Sequence, residues 1–186
     1  MSELIGFGYW RSLYESTLPD PAWFVDASWA ADERQQVMAY LRQGWPFVSW
    51  MGFSWCRFRC SIPLGAMGTR DLTDGTYCWP EGLIHYVLKH NLRLPVELVQ
   101  HILTQPTFPI EQARQVLPTC EMSLDWWCAQ KGWNPAAKSF LSETDQETKD
   151  FIRRYDQNKL FFEDYTEDGL RAIIQLVQEL KSNSNV

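Results

Sequence analysis

Two carboxylates and a histidine near the middle of the chain have types and spacing that hydrolytic chemistry could use. Asp71 and Asp74 lie at a predicted turn, with Arg70 beside them and His85 on the segment that follows. Paired carboxylates with an arginine can bind a metal ion or polarise a phosphate. Asp74 has a simpler explanation, because aspartate followed by glycine is a common hairpin turn. Asp71 lacks that explanation and is the better candidate.

A carboxylate precedes a histidine by four residues at two places, Glu81 with His85 and Glu97 with His101. On a helix, this spacing lets the carboxylate set the imidazole tautomer and raise its pKa, as general base catalysis requires. The same spacing is also ordinary on an exposed helix surface. The candidate catalytic residues are therefore Asp71, Asp74, His85 and Glu81.

Arginines and aromatic residues around the turn form a candidate ligand-binding set: Arg70, Arg57, Arg59 and Trp79. Arg70 could hold an anion bidentately next to the start of the following helix. In the alternative interpretation, Arg70 and Asp71 only tie the hairpin to the body of the protein. Trp79 and its aromatic neighbours line a groove in one interpretation and fill the core in the other.

The cysteines offer a metal site as a further alternative. Cys56-x3-Cys60, Cys78 and His85 together supply the four ligands that tetrahedral zinc requires. However, alternating residues predict a strand over 47–60, which would hold the two sulfurs of Cys56 and Cys60 about 13 Å apart at roughly 3.3 Å per residue. We therefore expect buried free thiols, no metal and no cofactor.

Several function classes are disfavoured by motifs and charge. The sequence lacks the glycine-rich phosphate loops, the zinc-protease motif and the nucleophile elbow of common enzymes. The net charge of −6 is spread along the chain without a basic patch, so we expect neither nucleic acid nor an anionic membrane as partner. An odd number of cysteines and an N-terminus unlike a signal peptide predict reduced thiols and a cytoplasmic location.

The pattern of apolar residues predicts an α+β fold. A small antiparallel sheet is expected over about 47–79, with a hairpin whose arms are 68–72 and 76–79. Helices are predicted at 30–43, 80–90, 95–104, 109–117, 123–131, 142–160 and 167–181. We expect one domain over 1–186, with a helix-rich C-terminal half, a helical subdomain at 142–182 and a homodimer contact through the last helix.

The run CRFRC…MGTRDLTDGTYCWPEGLIHYVLKH…LP over residues 56–95 resembles a signature of an uncharacterised bacterial protein family. The resemblance implies no activity, cofactor or site residue.

Three function classes follow from the sequence, in decreasing order of support. The first is a non-catalytic binding, inhibitory or adaptor protein with an unidentified protein or small-molecule partner. The second is a small hydrolase with a site near Asp71, Asp74 and His85. The third is a structural metal protein that uses Cys56, Cys60 and Cys78.

Overall fold

The computed structural model describes residues 3–12, 15–58, 60, 62, 65–105, 107–116 and 119–138. The chain divides into two units, Met1–Leu141 and Ser142–Val186, and the described residues belong to the first. The predicted subdomain at 142–182 and the homodimer contact through the last helix therefore lie outside the described residues. The prediction of a helix-rich C-terminal half gains no support for the same reason.

The first unit contains a five-stranded mixed sheet. Its strands are β1 (Leu4–Gly6), β2 (Trp45–Ser49), β3 (Arg70–Thr73), β4 (Tyr77–Pro80) and β5 (Met122–Ser123), in the order β2-β3-β4-β1-β5. The β2-β3-β4 part is antiparallel, as expected, but β1 pairs in parallel with both β4 and β5. The sheet therefore extends beyond 47–79. Strands as short as β1 and β5 show too little alternation to be predicted.

Within the part of the chain that the structure describes, five α-helices pack with this sheet, which confirms the α+β class. They are α1 (Ala31–Leu41), α2 (Leu83–Lys89), α3 (Val96–Thr104), α4 (Ile110–Arg114) and α5 (Asp125–Cys128), and a short 3-10 helix covers Pro21–Phe24. All five were predicted, with ends that differ by a few residues. No helix in the described ranges combines the length and apolar character of a membrane span.

Aromatic side chains fill the core between the sheet and the helices. Phe7, Trp79 and Trp127 are fully buried, with Phe7 5.5 Å from Trp79 and 6.3 Å from Trp127 between ring centroids. Trp127 donates a hydrogen bond from its indole nitrogen to the carbonyl of Tyr9, at 2.6 Å. The core interpretation therefore holds for Trp79, whereas Trp50 remains 59% exposed.

The segment 50–69 connects two neighbouring antiparallel strands without helix or strand at any of its described residues. The strand predicted over 47–60 ends at Ser49, so the prediction is wrong for the described residues 50–58 and 60. A turn at Arg57 and Phe58 reverses the chain there. Alternation of apolar residues appears in this segment because its side chains face a helix on one side, not because it belongs to the sheet. Irregular segments of this length in a compact domain usually need an anchor or a function.

Candidate metal centre

Four potential metal ligands from two parts of the chain converge at one point. Cys56 and Cys60 come from segment 50–69, and His85 and His90 come from α2 and its C-terminal cap. One ligand atom from each residue lies within 4.8 Å of each of the other three. Cys56 is buried, at 3% exposure, and the other three residues are half-buried. Within the described residues, this is the group of histidine, cysteine and acidic side chains whose geometry suits a metal ion.

The buried face of α2 determines where its histidines point. Leu83, Tyr86 and Val87 are buried in the core, which fixes the rotation of the helix about its axis. His85 then lies beside the buried face and projects toward segment 50–69. The helix ends at Lys89, and the cap residue His90 leaves helical geometry with φ −116° and ψ 9°. This change of direction brings His90 back to His85, although residues five apart do not share one face of a helix.

Contacts from the two turn residues, Arg57 and Phe58, hold segment 50–69 against α2. The backbone N–H of Arg57 donates to the hydroxyl oxygen of Tyr86 at 2.9 Å. The ring of Phe58 stacks on the ring of His90, with centroids 4.2 Å apart and planes 22° apart. These contacts place Cys56 and Cys60 on the same side of the turn, next to the two imidazoles.

The distances between ligand atoms approach those of a tetrahedral zinc site. Cys56 Sγ lies 3.2 Å from His90 Nε2, Cys60 Sγ lies 3.1 Å from His85 Nε2, and the two Nε2 atoms are 3.2 Å apart. Zinc bonds of about 2.3 Å to sulfur and about 2.0–2.1 Å to nitrogen put neighbouring ligand atoms roughly 3.3–3.8 Å apart. Outward shifts of a few tenths of an ångström would therefore admit the ion.

Burial shifts the pKa of Cys56, His85 and His90 in the direction that favours their neutral forms. It raises the pKa of the Cys56 thiol to about 11. Burial also lowers the pKa of both histidines. The positive charge of Lys89 lowers the pKa of His85 further, and His85 in turn lowers the pKa of His90. Neutral imidazole is the form that binds metal, and a bound cation displaces the thiol protons.

The candidate zinc set from the sequence shares three residues with this group. It contained Cys56, Cys60 and His85, and the structure brings these three together. Cys78 is not part of the group, because it is fully buried on β4 with its sulfur 3.7 Å from the Tyr9 hydroxyl. The missed residue is His90. Four residues separate His90 from His85, and this spacing is typical of histidine pairs in zinc sites. The spacing is the sequence signal that could have identified His90 as a candidate ligand.

The candidate catalytic residue Asp74 is a fully bonded anchor of the β3-β4 turn. It is 1% exposed, and its Oδ1 accepts backbone N–H groups of Thr76 and Tyr77 at 2.8 and 2.7 Å. Its Oδ2 accepts the Tyr40 hydroxyl at 2.8 Å and lies 2.9 Å from His101 Nε2. His101 therefore contacts Asp74 instead of Glu97.

Asp71 lies in a separate environment on β3. It is 3% exposed and accepts a hydrogen bond from the indole nitrogen of Trp50 at 2.7 Å. Burial raises the pKa of its carboxyl, although hydrogen bonds from Trp50 and Tyr9 act in the opposite direction. Asp71, Asp74 and His85 thus have different partners, and the contacts do not assemble them into one hydrolytic site.

We expect Asp71→Asn to stabilise the protein at pH 7 and to have progressively less effect as the pH falls. The raised pKa means that the folded state binds the Asp71 proton more tightly than the unfolded state does. The ionised carboxyl therefore weakens folding above its folded pKa, and this penalty disappears as the pH falls to the unfolded value of about 3.9. Urea unfolding of both proteins between pH 3.5 and 7.5 measures the difference. A variant that is less stable at pH 7 would contradict the prediction.

The remaining candidates make local contacts. Arg70 pairs bidentately with Glu81, with Nη2 2.5 Å from Oε1, and Glu81 does not pair with His85. Arg70 begins β3 and Glu81 follows β4, so this ion pair joins the two arms of the hairpin to each other and does not tie the hairpin to the body of the protein. The Arg57 guanidinium lies over the Trp55 ring, 4.1 Å from its centroid. Arg59 lies outside the described residues.

Comparison with protein-family models, with curated proteins and with solved structures found no match to this chain. The resemblance of residues 56–95 to an uncharacterised bacterial family therefore stays a sequence-based expectation, and the four converging side chains carry the functional argument.

Proposed function

We propose that this chain is a non-catalytic zinc-binding protein in which Cys56, Cys60, His85 and His90 hold one structural ion. The observation that carries the proposal is the convergence of two sulfur and two nitrogen atoms within 4.8 Å of one another. Two thiolates and two imidazoles in a tetrahedron are a ligand set that selects zinc among the common biological cations. The proposal replaces the earlier expectation of metal-free cysteines.

A structural role fits better than a catalytic one, because four protein ligands complete the coordination of zinc. Catalytic zinc sites usually have three protein ligands and keep the fourth position for water or substrate. In this proposal the ion attaches segment 50–69 to α2, and it gives that irregular segment a fixed position between β2 and β3. Such a scaffold is compatible with a binding or adaptor role of the whole protein.

The zinc content of the purified protein tests the proposal. We expect about one equivalent of zinc per chain after purification without a histidine tag, because sites of this type retain their metal. Cys56→Ser and His90→Ala should each remove it. The chain provides matched controls: His101→Gln and Cys128→Ser change the same residue types outside the cluster and should keep the zinc.

Cobalt gives an independent readout of geometry. Refolding or exchange with Co²⁺ should produce the visible absorption of a tetrahedral site with thiolate ligands, and the two ligand variants should lose it. A reduced wild-type protein that binds neither Zn²⁺ nor Co²⁺ would refute the proposal. In that case the four side chains form only a hydrogen-bonded cluster.

A further inference from the structure

We propose that Cys56 and Cys60 are also an oxidation site, where a peroxide converts the two zinc-bound thiolates into a disulfide and releases the ion. This inference rests on the proposed zinc site and adds a form of regulation to it. Oxidation would detach segment 50–69 from the histidines of α2, so that the metal attachment becomes reversible.

The two sulfurs are close enough to join. They lie within 4.8 Å of each other across the turn at residues 57 and 58. A disulfide needs a sulfur–sulfur distance of about 2.05 Å, so a movement of less than about 3 Å closes the bond. The described segment on either side of the turn contains no helix or strand that would resist this movement. Among the other cysteines, Cys78 is fully buried and Cys128 is exposed at the end of α5.

The different exposure of the two cysteine residues sets the order of the steps. Cys60 is half-buried and Cys56 is 3% exposed. A small oxidant therefore reaches Cys60 first, and Cys56 acts as the resolving thiol. Zinc holds both sulfurs as thiolates, which are the form that attacks a peroxide.

The reaction balances with hydrogen peroxide as the named oxidant. The Cys60 thiolate attacks one peroxide oxygen and breaks the O–O bond, which yields a sulfenic acid and hydroxide. The Cys56 thiolate then attacks the sulfenic sulfur, forms the S–S bond and expels a second hydroxide. Two protons from solvent convert both hydroxides to water. The two sulfurs lose two electrons in total, and the peroxide gains them.

After both thiolates are lost, only His85 and His90 remain as ligands of the ion. Two neutral imidazoles bind zinc far more weakly than the complete set of four ligands, so the ion leaves. The hydrogen bond from Arg57 to Tyr86 does not involve a metal ligand side chain. It remains available to keep part of the segment near α2, so that reduction can restore the site.

The test is a peroxide titration of the zinc-loaded full chain in a Cys120→Ser/Cys128→Ser background, which removes the two other cysteines that are not fully buried. A chromogenic chelator measures released zinc, and non-reducing tryptic mapping identifies the bond. Trypsin cleaves after Arg57 and Arg59, so Cys56 and Cys60 fall on different peptides and a disulfide joins them. We expect about one zinc released per linked peptide pair, with the zinc site restored by thiol reductant and added zinc. The same titration of the wild-type chain repeats the measurement if the background variant does not fold.

Three outcomes would overturn the inference. Zinc could stay bound in tenfold excess peroxide, or it could leave while Cys60 accumulates as sulfinic acid without a link to Cys56. A linked pair without zinc release would also contradict it. A reduced protein that has no zinc and takes up none before peroxide is added refutes the proposed function itself, which distinguishes the two failures.

Discussion

Removing the zinc with a strong chelator is expected to lower the free energy of unfolding by about 4 kcal/mol. An ion that binds only the folded chain stabilises it by about this amount when the free ion concentration is about 1,000 times its dissociation constant. For a chain of this size, each kcal/mol corresponds to roughly 2–4 °C in melting temperature. We therefore expect thermal unfolding of the chelated protein at a temperature about 10 °C lower. Added zinc should restore the original melting temperature.

The ligand variants should reproduce this loss, and they should not add to one another. Cys56→Ser and His90→Ala each remove the same ion, so the double variant should be scarcely less stable than the worse single variant. A chelator should have no further effect on any of the three. Cys128→Ser, which changes an exposed cysteine outside the cluster, should unfold at the wild-type temperature and remain sensitive to chelator.

A hydrogen-bonded cluster without metal gives a different pattern. In that case His90→Ala would still destabilise the protein, because it removes the stacking contact with Phe58 and an imidazole next to Cys56. Chelator would leave wild-type unfolding unchanged. Chelator sensitivity of the wild type therefore decides between the two accounts, independently of how well each variant folds.

The helices and the central hairpin could be predicted because their signals are local. Proline before an apolar stripe predicted the helices that became α2 and α3, and the Asp74-Gly75 pair predicted the turn between β3 and β4. In contrast, β1 joins the sheet through parallel pairing with β4 and β5, which are distant in the sequence. Nothing within a strand of three residues specifies that pairing.

The candidate metal centre was missed because one local prediction was wrong. A strand from 47 to 60 would separate Cys56 from Cys60, and that distance argued against a shared ion. The turn at Arg57 and Phe58 removes the separation. The position of His90 in the cluster also depends on the end of α2, where this residue leaves helical geometry. The sequence contained all four ligands at spacings compatible with zinc, but their convergence depends on tertiary contacts such as the bond from Arg57 to Tyr86.

The second large effect concerns Asp74, which the sequence offered as a catalytic candidate. Asp74→Ala is expected to lower the free energy of unfolding by about 3–5 kcal/mol, because it leaves one buried and three part-buried hydrogen-bond partners without the carboxyl oxygens that they contact. The affected partners are the backbone N–H groups of Thr76 and Tyr77, the Tyr40 hydroxyl and the His101 ring nitrogen. Thermal unfolding should occur roughly 6–20 °C below the wild-type temperature.

Two further variants separate the anchor role of Asp74 from other causes. Asp74→Asn keeps an oxygen that can accept the backbone N–H groups of the turn, so we expect a smaller loss than for alanine. Asp32→Ala removes an exposed carboxylate from the first turn of α1 and should change stability by less than about 1 kcal/mol. Zinc content should stay at the wild-type level in folded Asp74→Asn, because none of the bonds of Asp74 involves a ligand of the metal centre. An Asp74→Ala protein that unfolds at the wild-type temperature would show that the turn does not depend on this carboxylate, and the search for a catalytic role of Asp74 would then be justified.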